Sequence, residues 1–98
     1  MKNIKPEEVA EVLAQGATLL DVRTEDEFLD GHIPGAINIE IGEMSDEDIE
    51  QLDKEKTYVL YCRSGGRSSR AAQMLEALDF GDVYNLEGGY MEWVKTQG

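Results

Sequence analysis

The chain carries one cysteine, Cys62, followed by Arg63-Ser64-Gly65-Gly66-Arg67-Ser68-Ser69-Arg70. The residues before it, Tyr58-Val59-Leu60-Tyr61, are β-branched and aromatic and read as a strand. The residues after it open a helix at Ser68 and Ser69, with Ala71, Met74, Leu75 and Leu78 at helical spacing. Cys62 therefore sits between a strand end and a helix start, where open α/β sheets bind their ligands. The reactive form of cysteine is the thiolate, which helix N-termini and nearby cations stabilise. The helix supplies free N–H groups and partial positive charge. Arg63, Arg67 and Arg70 supply cations. Gly65 and Gly66 tolerate the positive φ that lets a loop curl, so its N–H groups can face an anion or a negative sulfur. The plainer alternative is a buried cysteine acting as a small hydrophobe. Two glycines and three arginines within eight residues weigh against it.

Composition narrows the ligand. The formal net charge is −12, and only nine residues are basic. Such a balance disfavours nucleic acid and anionic membrane surfaces as partners. Three of the nine cations nevertheless fall between positions 63 and 70, which points to a small anionic ligand. A lone cysteine allows no disulfide framework and no cysteine-based metal site, and no resolving cysteine lies in the chain. The first residues, Met1 to Glu8, have no apolar core of signal-peptide length, and no stretch is long enough to span a membrane. The expected compartment is the reducing cytoplasm. At 98 residues the chain is expected to form one domain, 1–98.

The positioning elements follow in order. Ile4 belongs to a short first strand. Pro6, Glu7 and Glu8 suit the first turn of a helix whose buried face is Val9, Ala10, Val12 and Leu13, with Gly16 as its stop. Ala17 to Val22 is a second strand. Thr24 and Glu27 have capping-box spacing for a short helix carrying Phe28 and Leu29, ended by Gly31. Gly31-His32-Ile33-Pro34-Gly35-Ala36 is a turn, and Ile37 to Ile39 a third strand. Ser45 to Asp48 starts an acidic helix with Ile49 and Leu52 as apolar positions. Thr57 to Tyr61 is the fourth strand and the expected centre of the sheet. Phe80-Gly81 turns the chain, Val83 to Leu86 is the fifth strand, and Gly88-Gly89 leads into a helix burying Tyr90, Trp93 and Val94. Trp93 and Met74 read as core. Strands alternating with helices predict an α/β fold with a largely parallel sheet.

Smaller features have local readings. Arg23 and Glu27, four apart at a helix start, read as an ion pair. Asp21 ends a strand on the same sheet edge as Cys62. It either hydrogen-bonds the arginine-bearing loop or caps the next turn. His32 reads as orienting its own loop rather than as a catalytic base. Gly88 and Gly89 are expected to keep the neighbouring loop small.

Leu20-Asp21-Val22-Arg23, Glu27-Phe28, Gly31 to Ala36, the Cys62 loop and Leu86-Glu87-Gly88-Gly89, in that order, resemble the single-domain rhodaneses, the thiosulfate sulfurtransferases. The resemblance runs from about Pro6 to Trp93. It implies a five-stranded, mostly parallel sheet flanked by helices on both faces, and a catalytic Cys62 that becomes a persulfide without any cofactor. It implies that Arg63, Ser64, Gly65, Gly66, Arg67 and Ser68 bind substrate, with Asp21 and His32 in support. The donor would be thiosulfate and the acceptor cyanide or a thiol, the latter carried by a small redox protein in one version. Two other readings stay open: a cysteine-dependent phosphatase or arsenate reductase on the same scaffold, and a non-catalytic persulfide carrier. In the related phosphatases the loop is one residue longer than the six residues from Cys62 to Arg67.

Overall fold

In the computed structural model, which describes residues 1–40 and 49–97, the elements are β1 Lys2–Ile4, α1 Pro6–Ala14, β2 Thr18–Asp21, α2 Glu25–Asp30, β3 Ile37–Asn38, β4 Tyr58–Tyr61, α3 Gly66–Ala77, β5 Val83–Leu86 and α4 Gly89–Gln97. The strands form one sheet in the order β1-β5-β4-β2-β3, and every pairing is parallel. β4 is the central strand, as expected. All four of its residues are buried, which explains its unbroken apolar and aromatic composition.

Alternation along β4 divides the core in two. Tyr58, Leu60 and Cys62 face one side with Leu20, Val22 and Val83, beneath Ala71, Ala72 and Leu75 of α3. Val59 and Tyr61 face the other side with Ile4, Leu19 and Leu86, against Val9 of α1 and the half-buried Tyr90 and Trp93 of α4. Helices thus cover both faces. Ile49 and Leu52 pack half-buried against the first cluster; the expected helix start at Ser45 to Asp48 lies outside the described residues.

Several apolar residues turn out not to be core. α3 presents Ser68, Ala71, Ala72 and Leu75 to the sheet, a stripe at spacings of three and four. Small side chains along it let the helix lie close. Met74 and Leu78 fall off that stripe and are 37% and 39% exposed. Ala10 and Leu29 are likewise exposed. Val94 is exposed because α4 turns Tyr90 and Trp93, not Val94, toward the core. α3 also begins at Gly66, two residues earlier than its serines signal. The last two residues of the expected loop, Gly66 and Arg67, therefore belong to the first helical turn.

A buried ion pair fixes the strand end next to β4. Asp21 is fully buried, and its carboxylate accepts hydrogen bonds from the Arg23 N–H at 2.9 Å, Nε at 3.0 Å and Nη2 at 2.7 Å. Arg23 Nη2 also donates to the Gly31 carbonyl at 2.6 Å, and the guanidinium lies 4.5 Å from the Tyr90 ring centre. The expected Arg23–Glu27 pair is not formed: Arg23 turns inward, because a cation under aromatic rings needs the nearest buried carboxylate. The Tyr61 hydroxyl accepts from the Ile33 N–H at 3.1 Å, so β4 also holds the His32-Ile33-Pro34 turn. Thr24 and Glu27 do form the capping box of α2. Removing one partner of such a buried pair strands the other charge, so Asp21→Ala should lower unfolding stability by about 3–5 kcal/mol, read by urea denaturation. A loss near zero would mean that Arg23 reaches water.

Candidate active site

The chain leaves β4 at Tyr61 and turns back through Gly65, which has φ +105°. Glycine is suited to this left-handed turn, and an L side chain there would be strained. The turn directs the Gly65 N–H at Cys62 Sγ, 3.1 Å away. Ser68, in the first turn of α3 and fully buried, places its Oγ 3.4 Å from the same sulfur. Cys62 is only 1% exposed, so these donors act on a sulfur shielded from water. Burial pushes the Cys62 thiol up, but hydrogen bonds from the Ser68 hydroxyl and from the Ser68, Gly65 and Ser64 N–H groups outweigh it and hold the thiol below its ordinary value. The principal stabilisers of the thiolate are thus the helix start and its serine, a geometry for which backbone N–H groups are suited.

The three arginines are not equivalent. Arg67 forms a two-pronged pair with Glu27 of α2, Nη1 to Oε1 at 3.0 Å and Nη2 to Oε2 at 3.1 Å. The Arg67 hydrogen bonds are the main reason that the Glu27 carboxyl is held down at about 2. Arg67 is itself raised, first by Glu27 and more weakly by the charge of Cys62. Arg63 and Ser64 are exposed, as is Arg70 farther along α3. Gly66 is exposed at the first position of α3. Glu27 was readable as a capping residue, and nothing in its sequence position signalled that it also reaches Arg67.

Asp21 and His32 do not bond the cysteine loop. Asp21 is committed to Arg23 and thereby holds the turn after β2. His32 is exposed, stacks on the Phe28 ring at 3.8 Å and places Nδ1 2.9 Å from the Phe28 carbonyl. Its position ends α2 and organises its own turn.

The glycines after β5 have a sharper purpose than small size. Gly89 has φ +62°, and a Cβ there would stand 2.5 Å from the Cys62 carbonyl oxygen and 2.7 Å from the Arg63 carbonyl carbon. The two backbones touch and are tied by Tyr90 N–H to the Cys62 carbonyl at 2.8 Å and Met91 N–H to the Arg63 carbonyl at 3.1 Å. α4 therefore clamps the base of the cysteine loop.

The comparisons with known proteins agree with this arrangement. Residues 5–96 match the model of the rhodanese-like domain. This chain belongs to that family. It is 45% identical over 75 residues to YtwF of Bacillus subtilis, covering 76% of this chain and 71% of that protein. It is 36% identical over 95 residues to the thiosulfate sulfurtransferase GlpE of Pseudomonas syringae, covering 97% of this chain and 89% of the relative. A crystal structure of a rhodanese-related protein from Thermoplasma volcanium superposes with a TM-score of 0.87 at 31% identity, covering 98% of this chain and 93% of that one. The rhodanese-like fold and membership of a sulfurtransferase family, expected from the ordered motifs, are thus shown.

One buried residue of this rhodanese-like site escaped the reading of the sequence altogether. Asn85 of β5 accepts from Ser68 Oγ through its Oδ1 at 2.5 Å. An asparagine inside an otherwise apolar strand was the available signal, since buried polar groups are the informative exceptions in a core.

Two outcomes follow from this geometry. Gly89→Ala forces backbone apart from backbone and should destabilise the domain by about 1–3 kcal/mol, with faster amide exchange at Tyr90 and Met91; unchanged exchange would refute the clamp. The Glu27–Arg67 pair is half-exposed, so Glu27→Gln should cost less than about 1 kcal/mol. Because folding depresses the Glu27 pKa, that contribution is fully present above its ordinary value of 4.5 and is lost as pH falls toward about 2. The two proteins should differ at neutral pH and converge across that window in urea titrations.

Proposed function

We propose that this rhodanese-like domain is a thiosulfate sulfurtransferase working through a Cys62 persulfide. The observation that carries the reading is the convergence of the Gly65 N–H and the Ser68 hydroxyl on one buried sulfur with a depressed pKa. The Cys62 thiolate attacks the outer sulfur of thiosulfate. A new S–S bond forms, the S–S bond of thiosulfate breaks, and its electron pair leaves with sulfite. Cys62 then carries a terminal sulfur bearing one negative charge. A ring of N–H donors from Arg63 to Ser68 suits that single anionic atom. Cyanide or a thiolate takes the terminal sulfur in a second displacement, and the Cys62 thiolate returns. Neither step transfers a proton when the thiolate is already formed and the acceptor is an anion, so no general base is required.

The exposed Arg63 draws the thiosulfate dianion toward the loop. Arg67 stabilises the departing sulfite, in competition with its hold on Glu27. A thiol acceptor on a small redox protein would use the same displacement, and a non-catalytic carrier would stop at the persulfide. Thiolate chemistry of this kind belongs in a reducing compartment, for which we propose the cytoplasm. We further infer that residues 1–98 act as one domain. The phosphatase and arsenate reductase readings are weaker. A tetrahedral oxyanion needs donors at three oxygens and in-line attack, and the loop is one residue shorter than the resemblance implies for phosphatases.

Incubation of the protein with thiosulfate should add the mass of one sulfur atom, removable by cyanide with formation of thiocyanate. Cys62→Ser should abolish both while leaving the fold intact. Retained transfer by that variant, or cysteine-dependent aryl phosphate hydrolysis by the parent protein, would overturn the proposal. Alkylation of Cys62 by iodoacetamide should remain fast at pH values where an ordinary thiol is protonated, since the folded pKa is lowered.

A further inference from the structure

The face of the sheet beneath α3 is mostly apolar, and Asn85 is a buried amide set in it. Leu20, Leu60, Asn85 and Asn3 stand side by side in register across β2, β4, β5 and β1. Asn85 is 5% exposed. Burying an amide in the core face of a parallel sheet is unfavourable unless every polar atom is served. It is served by a chain of contacts that ends at the reactive sulfur. Asn85 Nδ2 donates to Asn3 Oδ1 at 3.0 Å, and Asn85 Oδ1 accepts the Ser68 hydroxyl at 2.5 Å. The Ser68 oxygen lies 3.4 Å from Cys62 Sγ.

A serine hydroxyl has one proton to donate. Here three acceptors compete for it: Asn85 Oδ1 at 2.5 Å, the Gly65 carbonyl at 3.3 Å and Cys62 Sγ at 3.4 Å. The shortest contact goes to Asn85. An amide can present either its oxygen or its NH2 group. If Asn3 turned its NH2 to Asn85 Oδ1, Asn85 would give Nδ2 to the Ser68 oxygen and free the hydroxyl proton for the sulfur. No covalent bond changes; only two amides and one hydroxyl rotate. Asn3 is exposed on an edge strand, where such a turn meets little resistance.

We propose that Asn85 is a positioning residue whose amide, held by Asn3, decides whether the Ser68 proton points at Asn85 or at the Cys62 sulfur. The inference rests on Cys62 being the reactive sulfur. An anionic sulfur draws the proton and reverses the chain; a neutral or occupied sulfur lets it return to Asn85. The network thus matches the donor strength of Ser68 to the charge on the Cys62 sulfur.

The test is the pH titration of Cys62 followed by thiolate ultraviolet absorbance, which needs no sulfur transfer and has one cysteine to report. Asn85→Asp offers only acceptor atoms and should hold the Ser68 proton in every state. The Cys62 midpoint should then rise by about one pH unit, a tenfold loss of thiolate below it, the scale of a hydrogen bond to a charged group. The added carboxylate charge would also raise the midpoint, so the same substitution is made in Ser68→Ala. The charged and titratable groups on the surrounding elements stay constant throughout: Arg63, Arg67 and Arg70 on the loop and α3, Glu27 on α2, Asp21, Arg23 and Tyr61 at the strand ends, and Glu87, Tyr90 and Glu92 beside α4. A rise that is large with Ser68 and mostly lost without it supports the proposal. An equal rise in both backgrounds, or none, overturns it. If Asn85→Asp does not fold, Asn3→Asp fixes the same amide orientation from the exposed end. It should produce a smaller rise with the same dependence on Ser68; absence of that rise overturns the proposal equally.

Discussion

The structure depends on fixed hydrogen-bond donors that favour negative charge on a sulfur buried from water. Cys62 ends the most deeply buried strand of the sheet, and burial by itself favours the neutral thiol. Only donors already fixed in place can reverse that preference, because a donor that must first be ordered loses much of its advantage to entropy. The left-handed turn at Gly65 and the immediate start of α3 provide them without long side chains. Peptide dipoles locked in a helix start need no reorganisation when charge appears on the sulfur.

That requirement propagates outward. The loop can hold its shape only if both of its ends are anchored. β4 anchors the first end through the parallel ladder, and the sheet order places β5 and β2 on either side of it. The clamp from α4 fixes the Cys62 and Arg63 carbonyls, which is why two backbones must touch at Gly89. The Asp21–Arg23 pair secures the neighbouring turn and, through Gly31, the end of α2. α2 in turn brings Glu27 to Arg67. A buried ion pair that does not touch the cysteine loop thus helps decide how much positive charge the loop offers.

The charge distribution has a functional reading as well. A net charge of −12 repels small anions at long range. Arg67, which would oppose that repulsion, is largely balanced by Glu27. Exposed Arg63 remains the cation at the rim with no shared carboxylate among the described residues. The positive charge that the loop presents therefore rests on Arg63 more than on Arg67.

Much of this was legible along the chain. The alternation of apolar runs, the capping box at Thr24, the central place of Tyr58 to Tyr61 and the Cys62 loop follow from local chemistry: periodicity, glycine conformations and helix-end electrostatics act between residues near in sequence. The ordered motifs carried the family. What the chain could not display was the pairing of groups distant in sequence. Arg23 had two carboxylates within reach, and its inward turn toward Asp21 depends on the rings of Tyr61 and Tyr90, which only folding assembles. Glu27 meets Arg67, forty positions away, because α2 and α3 begin on the same edge of the sheet. Met74, Leu78 and Val94 look like core by composition, yet helix rotation against the sheet leaves them at the surface. Asn85 reaches Ser68 only because β5 lies beside β4 under α3. The sequence by itself determined where the one cysteine sits, between a strand end and a helix start, and which local groups surround it. Tertiary structure alone decided which partner each polar side chain serves, because that choice is made by burial and register, and neither exists before the strands pair.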